Sequence, residues 1–231
     1  MKKFNKEQLN KFKDADISGT TVLAFRDLEK LSNLYGIDNS EALDFGCGCG
    51  RSTKFLSSFC SNISGTDVCQ ESLDIARNRL INVNFFINDS ECGAYGGSPY
   101  SAIYSIFVVC HFQSMDILRK ELKKSFNSLK SGGGLIIVNG TKNLFCREYS
   151  TVKCISGKPN GHGARMKVLL KNSGCIVDDF FWDEYIVKEV SEQVGFVCSG
   201  IHYPTPSDDE HCNYKDELKY PPYYNICLKK N

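Results

Sequence analysis

Residues 42–50 read Ala-Leu-Asp-Phe-Gly-Cys-Gly-Cys-Gly, and no other stretch limits the fold of this chain so strongly. Residues 43–45 read as the end of a buried parallel strand, and Gly46, Gly48 and Gly50 follow at alternate positions. Without a Cβ, such a loop lets a ligand come close to the backbone. Residues 51–59 continue with helical spacing. Strand, glycine loop and helix are the opening of a nucleotide-binding α/β unit.

Two details narrow the ligand. A dinucleotide fingerprint needs glycine or alanine three residues after its second glycine, where helix and strand pack closest; this chain has Arg51 there. No Gly-Lys-Ser/Thr follows, so the loop is not a P-loop. Asp44, at the strand end, would repel a pyrophosphate and attract a cation in a water-poor crevice. S-Adenosylmethionine carries an ammonium, a sulfonium and no phosphate, so it suits this loop better than a dinucleotide does. The next strand, residues 63–67, ends in Asp67, 23 residues after Asp44, and a carboxylate there can accept from both ribose hydroxyls. A helix over 71–81 puts Leu73, Ala76 and Leu80 on one face. A third strand, 83–87, leads into Asn88-Asp89-Ser90, where an acid would accept the adenine amino group.

These stretches resemble the class I S-adenosylmethionine-dependent methyltransferases, small-molecule branch. The resemblance rests on Leu43 to Gly50, Gly65-Thr66-Asp67, Asn88-Asp89, the run from Tyr104 to His111, and Leu129-Lys130-Ser131-Gly132-Gly133-Gly134 before an apolar strand. It is strong over residues 40–140 and weaker beyond. Two departures are Tyr100-Ser101 where the family has Phe-Asp, and Ser131 in place of a proline; neither lies on the ligand loop. The resemblance implies an α/β, Rossmann-like, doubly wound seven-stranded sheet with its last strand antiparallel. It implies S-adenosyl-L-methionine as cofactor and transfer of a methyl group to an O or N atom of a small-molecule acceptor. Cofactor contacts fall on Asp44, Gly46, Cys47, Gly48, Gly50, Ser52, Asp67, Val68, Asp89, Ser90, Ile106 and Phe107.

The organisation expected is leading helices over the cofactor at 1–40, a cofactor-binding core at 41–140, a substrate-cap insertion at 141–181 and the rest of the core sheet at 182–231. Helices are expected over 2–13 and 22–35, the second with a stripe of Leu23, Leu28, Leu31 and Leu34. The helix over 115–130 turns Leu118, Leu122, Phe126 and Leu129 inward and Lys120, Lys123 and Lys124 outward. The insertion contains a β-hairpin, 165–170 and 175–180, around Lys171-Asn172-Ser173-Gly174. A helix over 182–194 and strands over 196–203 and 224–229 close the chain.

Composition excludes several classes. A chain of 231 residues with 42% apolar and 24% charged residues is an ordinary globule. Its net charge of +1 gives no basic field for a polyanion. No apolar run reaches the roughly 18 residues of a membrane helix, and residues 1–13 are too polar for a signal peptide. The 12 cysteines are scattered without a Cys-x-x-Cys pair, so reduced thiols in a cytoplasmic protein, and no metal, are expected.

Methyl transfer asks mainly for alignment, which supplies roughly 7–11 kcal/mol in favourable cases, so catalytic groups are few. His111, just past the fourth strand, is the candidate base. On the acceptor side, His162, Tyr149 and Trp182 are candidates against the plainer readings of loop or core residue. Asp178 and Asp179 on the hairpin are expected to be one buried and one exposed. Three alternatives stand beside this reading. A nucleic-acid (RNA) methyltransferase would place Asn/Asp-Pro-Pro-Tyr/Phe after strand four, where this chain reads Ile106-Phe107-Val108-Val109. A non-catalytic cofactor-binding module would have lost its acceptor pocket or cofactor loop. A dinucleotide oxidoreductase is weakened by Arg51 and Asp44.

Overall fold

The computed structural model describes residues 6–13, 16–88, 93–207, 210 and 213–231. Its first five strands are β1 (Glu41–Phe45), β2 (Asn62–Asp67), β3 (Asn84–Ile87), β4 (Tyr100–Ile106) and β5 (Leu129–Gly140). The next five are β6 (Val152–Ser156), β7 (Ala164–Leu170), β8 (Cys175–Phe181), β9 (Val197–His202) and β10 (Tyr223–Lys229). The helices are α1 (Lys6–Phe12), α2 (Val22–Phe25), α3 (Leu28–Leu34), α4 (Arg51–Leu56), α5 (Gln70–Arg79), α6 (Met115–Ser128), α7 (Lys142–Cys146) and α8 (Glu184–Val194).

Seven strands form one sheet in the order β3-β2-β1-β4-β5-β10-β9. The pairings from β3 to β5 are parallel, and β10 runs antiparallel between β5 and β9. Every residue of β4 is buried, as expected where helices cover both faces of a sheet. Alternation along β1 feeds two cores. Ala42 packs with Leu23, Leu28, Leu56 and Tyr104 on one face; Leu43 and Phe45 pack with Ile103, Leu118 and Val187 on the other. Chain order reverses between β1 and β4, and in open α/β sheets ligands bind outside the strand ends at such a point.

A second sheet, β6-β7-β8, is antiparallel throughout. The expected hairpin is β7 and β8. Strand β6 and helix α7 come from a segment in which the sequence shows no period; pairing with β7 organises them.

Three other expectations change. The 22–35 helix is interrupted between α2 and α3. There Arg26 bonds to Asp27, Glu210 and the Thr205 carbonyl, and His202 Nε2 lies 3.0 Å from Asp27 Oδ2. The break shifts the helical phase, and Leu34 emerges 66% exposed. Lys124 is buried rather than outward, with Nζ donating to Asn88 Oδ1 at 2.6 Å and lying over the Tyr95 ring. Trp182 precedes α8 instead of opening it, and Asp183 caps that helix by accepting from the Tyr185 amide.

The covering segments are fastened through Glu217, which is fully buried. Its carboxylate accepts from Thr20 Oγ1 at 2.6 Å, from the Ser150 amide and hydroxyl at 2.7 Å each, and from the Lys215 amide at 2.8 Å. Burial alone would raise its pKa, yet these four donors hold it below the ordinary glutamate value. A lowered carboxyl pKa contributes stability that is complete above the unfolded-state value and is lost as pH falls through the folded one. Glu217→Gln is therefore expected to lose about 1.5–3 kcal/mol near neutral pH. Urea unfolding at about pH 7 and about pH 3.5 checks this. The variant should lose less stability on acidification than the wild-type chain; an equal loss would remove Glu217 as the fastening.

Candidate active site

The turn after β1 folds as it does because three glycines take left-handed backbone conformations: Gly46 at φ 75°, Gly48 at φ 52° and Gly50 at φ 86°. The Gly46 and Cys47 amides both donate to the Thr66 carbonyl of β2, at 2.8 and 3.0 Å. A Cβ on Gly46 would stand 2.4 Å from Val108 Cγ2, whereas one on Gly48 would meet nothing within 4 Å. Gly48 thus offers open backbone. Its amide donates to Asp67 Oδ2 at 2.9 Å, and the Cys69 amide donates to Oδ1 at 2.9 Å.

A cleft lies over this turn. Its floor comes from the β1, β2 and β4 turns: Gly46, Cys47, Gly48, Ser52, Asp67, Val68, Ile106, Phe107 and His111 among the expected residues, with Cys49, Arg51, Cys69, Val108 and Cys110. Its cover comes from Lys13, Asp16, Thr21 and Phe25 on the leading segment and from Val152, Val168, Leu170, Val177 and Asp179 on the second sheet. Phe107 takes a left-handed backbone at φ 57°, a conformation costing about 1–3 kcal/mol in a non-glycine residue. The turn is held by the Phe107 amide on the Val138 carbonyl, 3.0 Å, and by the Cys110 thiol on the Phe107 carbonyl, 3.2 Å. The Phe107 ring meets Tyr223 and Phe25 edge to face.

Several expected residues fall elsewhere. Asp44 does not line the cleft. It is 1% exposed, and its Oδ2 accepts from Ser52 Oγ at 2.7 Å and Thr53 Oγ1 at 2.6 Å, joining β1 to α4. Burial pushes its pKa up to about 6 despite those hydroxyls, with Asp67 adding like charge. A carboxyl so placed does not act as an open cation trap at the mouth of the loop. Gly50 also lies outside the lining, beneath Ala76 of α5 and Leu80, which caps that helix. Tyr149 is fully buried, with its hydroxyl on the Tyr220 carbonyl at 3.1 Å. Trp182 is 1% exposed and donates from Nε1 to the Phe112 carbonyl at 2.9 Å. His162 stacks on Phe181 and Trp182, away from the cleft. These three are packing residues where acceptor contacts are expected. Asp89 and Ser90 lie outside the described residues.

The cysteines of the turn are not thiolates. Burial raises Cys47 well above the ordinary thiol value and takes Cys49 to about 11. At the far end, Cys110, His111 and Asp179 bring their side-chain ligand atoms within 4.8 Å of one another. Asp178 and Asp179 divide as alternation dictates: Asp178 pairs with Arg165 at 2.9 Å on the outer face, and Asp179 is buried. The sequence offers Asp178 and Asp179 only as possible substrate contacts, and it does not point to Arg51, Phe25 and Cys110 as lining. A polar residue at an inward position of a strand is the signal that was available for Asp179.

S-Adenosylmethionine fits these residues. The open face of Gly48 admits a ligand against the backbone, and Asp67 lines the cleft beside it with a carboxylate, the group that accepts from ribose hydroxyls. Arg51 and Lys13 stand against Asp16 and Asp67 in the same cleft, the mixture of signs a zwitterionic amino-acid end requires. Asp44 Oδ1, buried without a hydrogen-bond partner, lies behind the turn.

Comparison with known proteins agrees. Residues 42–133 match the family described as a methyltransferase domain. An uncharacterized methyltransferase of Schizosaccharomyces pombe is 24% identical over 123 residues, 49% of this chain and 43% of that protein. This chain therefore spans less than half the length of that curated relative. Among solved structures, PH0226 from Pyrococcus horikoshii OT3 superposes with a TM-score of 0.68 at 19% identity, over 99% of this chain and 100% of that one. CalS10 from Micromonospora echinaspora, an amino pentose methyltransferase with bound cofactor, superposes at 0.63 with 14% identity, over 98% of each chain. These likenesses are of fold.

Asp67→Ala is expected to weaken binding of S-adenosylhomocysteine about 10- to 100-fold, the cost of a charge-assisted contact. Titration calorimetry measures it; an unchanged affinity would remove Asp67 from the ribose role.

Proposed function

We propose that this chain is a class I S-adenosylmethionine-dependent methyltransferase that passes the cofactor's methyl group to an O or N atom of a small-molecule acceptor. One observation carries the reading: the cleft over the glycine turn continues under an apolar cover from the second sheet, with Val152, Val168, Leu170 and Val177 facing it. A cleft with an apolar flank of this kind beside a polar floor suits a small molecule. The net charge of +1 offers nothing to a nucleic-acid backbone.

When bound, the cofactor supplies an electrophilic methyl group on a sulfonium. The protein's share is alignment, dryness and proton handling. Gly48 and Asp67 fix the adenosyl end against the two turns. Phe25, Phe107 and Tyr223 form an aromatic wall that keeps water from the middle of the cleft. His111 follows β4 in a short 3-10 turn and lines the same cleft; in this reading its imidazole receives the acceptor's proton. No described helix is long and apolar enough to cross a membrane.

Two measurements test this. Calorimetry should give saturable binding of S-adenosylhomocysteine and none of NAD; the reverse would make the chain an oxidoreductase. His111→Ala should keep its affinity for S-adenosylhomocysteine and lose about 10²–10⁴-fold in turnover with an accepted substrate. Turnover at the wild-type rate would exclude His111 as the proton acceptor.

A further inference from the structure

Strand β8 turns Cys175, Val177, Asp179 and Phe181 inward. Three of these are apolar, and the fourth is a carboxyl group only 8% exposed. Burying a carboxylate among apolar side chains is costly unless it is paired. Two of its neighbours among the described residues offset that cost little. Cys110 offers a thiol hydrogen bond, already directed at the Phe107 carbonyl, and Asp178 adds like charge. Burial accordingly pushes the Asp179 pKa up to about 7.

The surroundings define what would complete it. Asp179 lines the cleft on the same side as Val152, Val168, Leu170 and Val177. His111, the proton acceptor of the proposed reaction, has its ring nitrogen within 4.8 Å of the Asp179 carboxyl. An apolar flank that carries one buried acid favours a cationic or hydrogen-bond-donating head on an apolar body over an anion.

We infer that the acceptor is an apolar amine whose ammonium is recognised by Asp179 while its hydrocarbon part lies against Val152, Val168, Leu170 and Val177. This rests on the methyltransferase reading and deepens it, since it makes nitrogen the methylated atom. Asp179 holds the ammonium beside His111; the ammonium passes one proton to the imidazole, leaving a neutral amine with its lone pair and an imidazolium, with charge conserved.

The test is calorimetric and uses the full chain saturated with S-adenosylhomocysteine. The probes are phenethylamine, 2-phenylethanol and 3-phenylpropanoate, which share a body and differ in the head. Phenethylamine should bind about tenfold or more tighter than the other two. In D179N the amine preference should disappear while the affinity for S-adenosylhomocysteine stays as in the wild-type chain. Equal binding of amine and alcohol by the wild-type chain, tighter binding of the acid, or no binding of the amine at millimolar concentration would each overturn the inference. So would zinc chloride binding that needs Asp179 and shuts out the amine, which would give the Cys110, His111 and Asp179 trio to a metal. The probe series in the wild-type chain decides even if D179N does not fold. Failure of the wild-type chain to bind S-adenosylhomocysteine would instead count against the methyltransferase reading itself.

Discussion

Two backbone amides, from Gly48 and Cys69, converge on one carboxylate, Asp67. That convergence locks the turn after β1 to the turn after β2 and shapes the floor of the cleft. It needs Gly46, Gly48 and Gly50 in left-handed conformations, because a side chain on Gly46 would strike Val108. It also needs β1 and β2 in parallel register, Asp44 beside Gly65 and Phe45 beside Thr66. Charge-assisted bonds of this kind are about twice as strong as neutral ones, so the most polar part of the site is also its most fixed part.

The cover is attached differently. Glu217 gathers donors from the leading segment, the insertion and the last loop, so three segments far apart in sequence act as one lid over the cleft. Asp27 does similar work farther along, between Arg26 and His202. Its pKa is held far below the ordinary value, chiefly by the His202 hydrogen bond and then, against the cost of burial, by Arg26. The floor therefore belongs to backbone geometry, while the cover depends on buried acids that stay ionised.

The order and type of the core strands were legible because short-range signals agree there: a glycine turn, acids at strand ends, and the apolar run of β4. The second half was harder to read. Strand β6 shows no alternation that a local pattern detects, and it exists because β7 offers an edge. Lys124 reads as a solvent-facing lysine by helical spacing, yet its long side chain reaches the buried Asn88 carbonyl oxygen. Site residues follow the same division. Gly48, Asp67, Phe107 and His111 occupy sequence-local turns and could be named in advance. Tyr149, Trp182 and His162 carry suggestive chemistry, but tertiary packing uses Tyr149 and Trp182 in the core and leaves His162 stacked at the surface. Asp44 shows how a correct residue can be given the wrong work: its charge suggested attraction for a cation, whereas Ser52 and Thr53 turn it into a clamp between strand and helix.

The central claim is that the paired turns around Asp67 hold an adenosyl donor that lacks phosphate. A crystal structure of the chain grown with S-adenosylhomocysteine tests it most directly. The account predicts the ligand in the cleft with its ribose hydroxyls on the Asp67 carboxylate and its backbone-facing side against Gly48. An empty cleft at saturating ligand, or a diphosphate seated on the turn beside Arg51 in a parallel crystal grown with NAD, would contradict it.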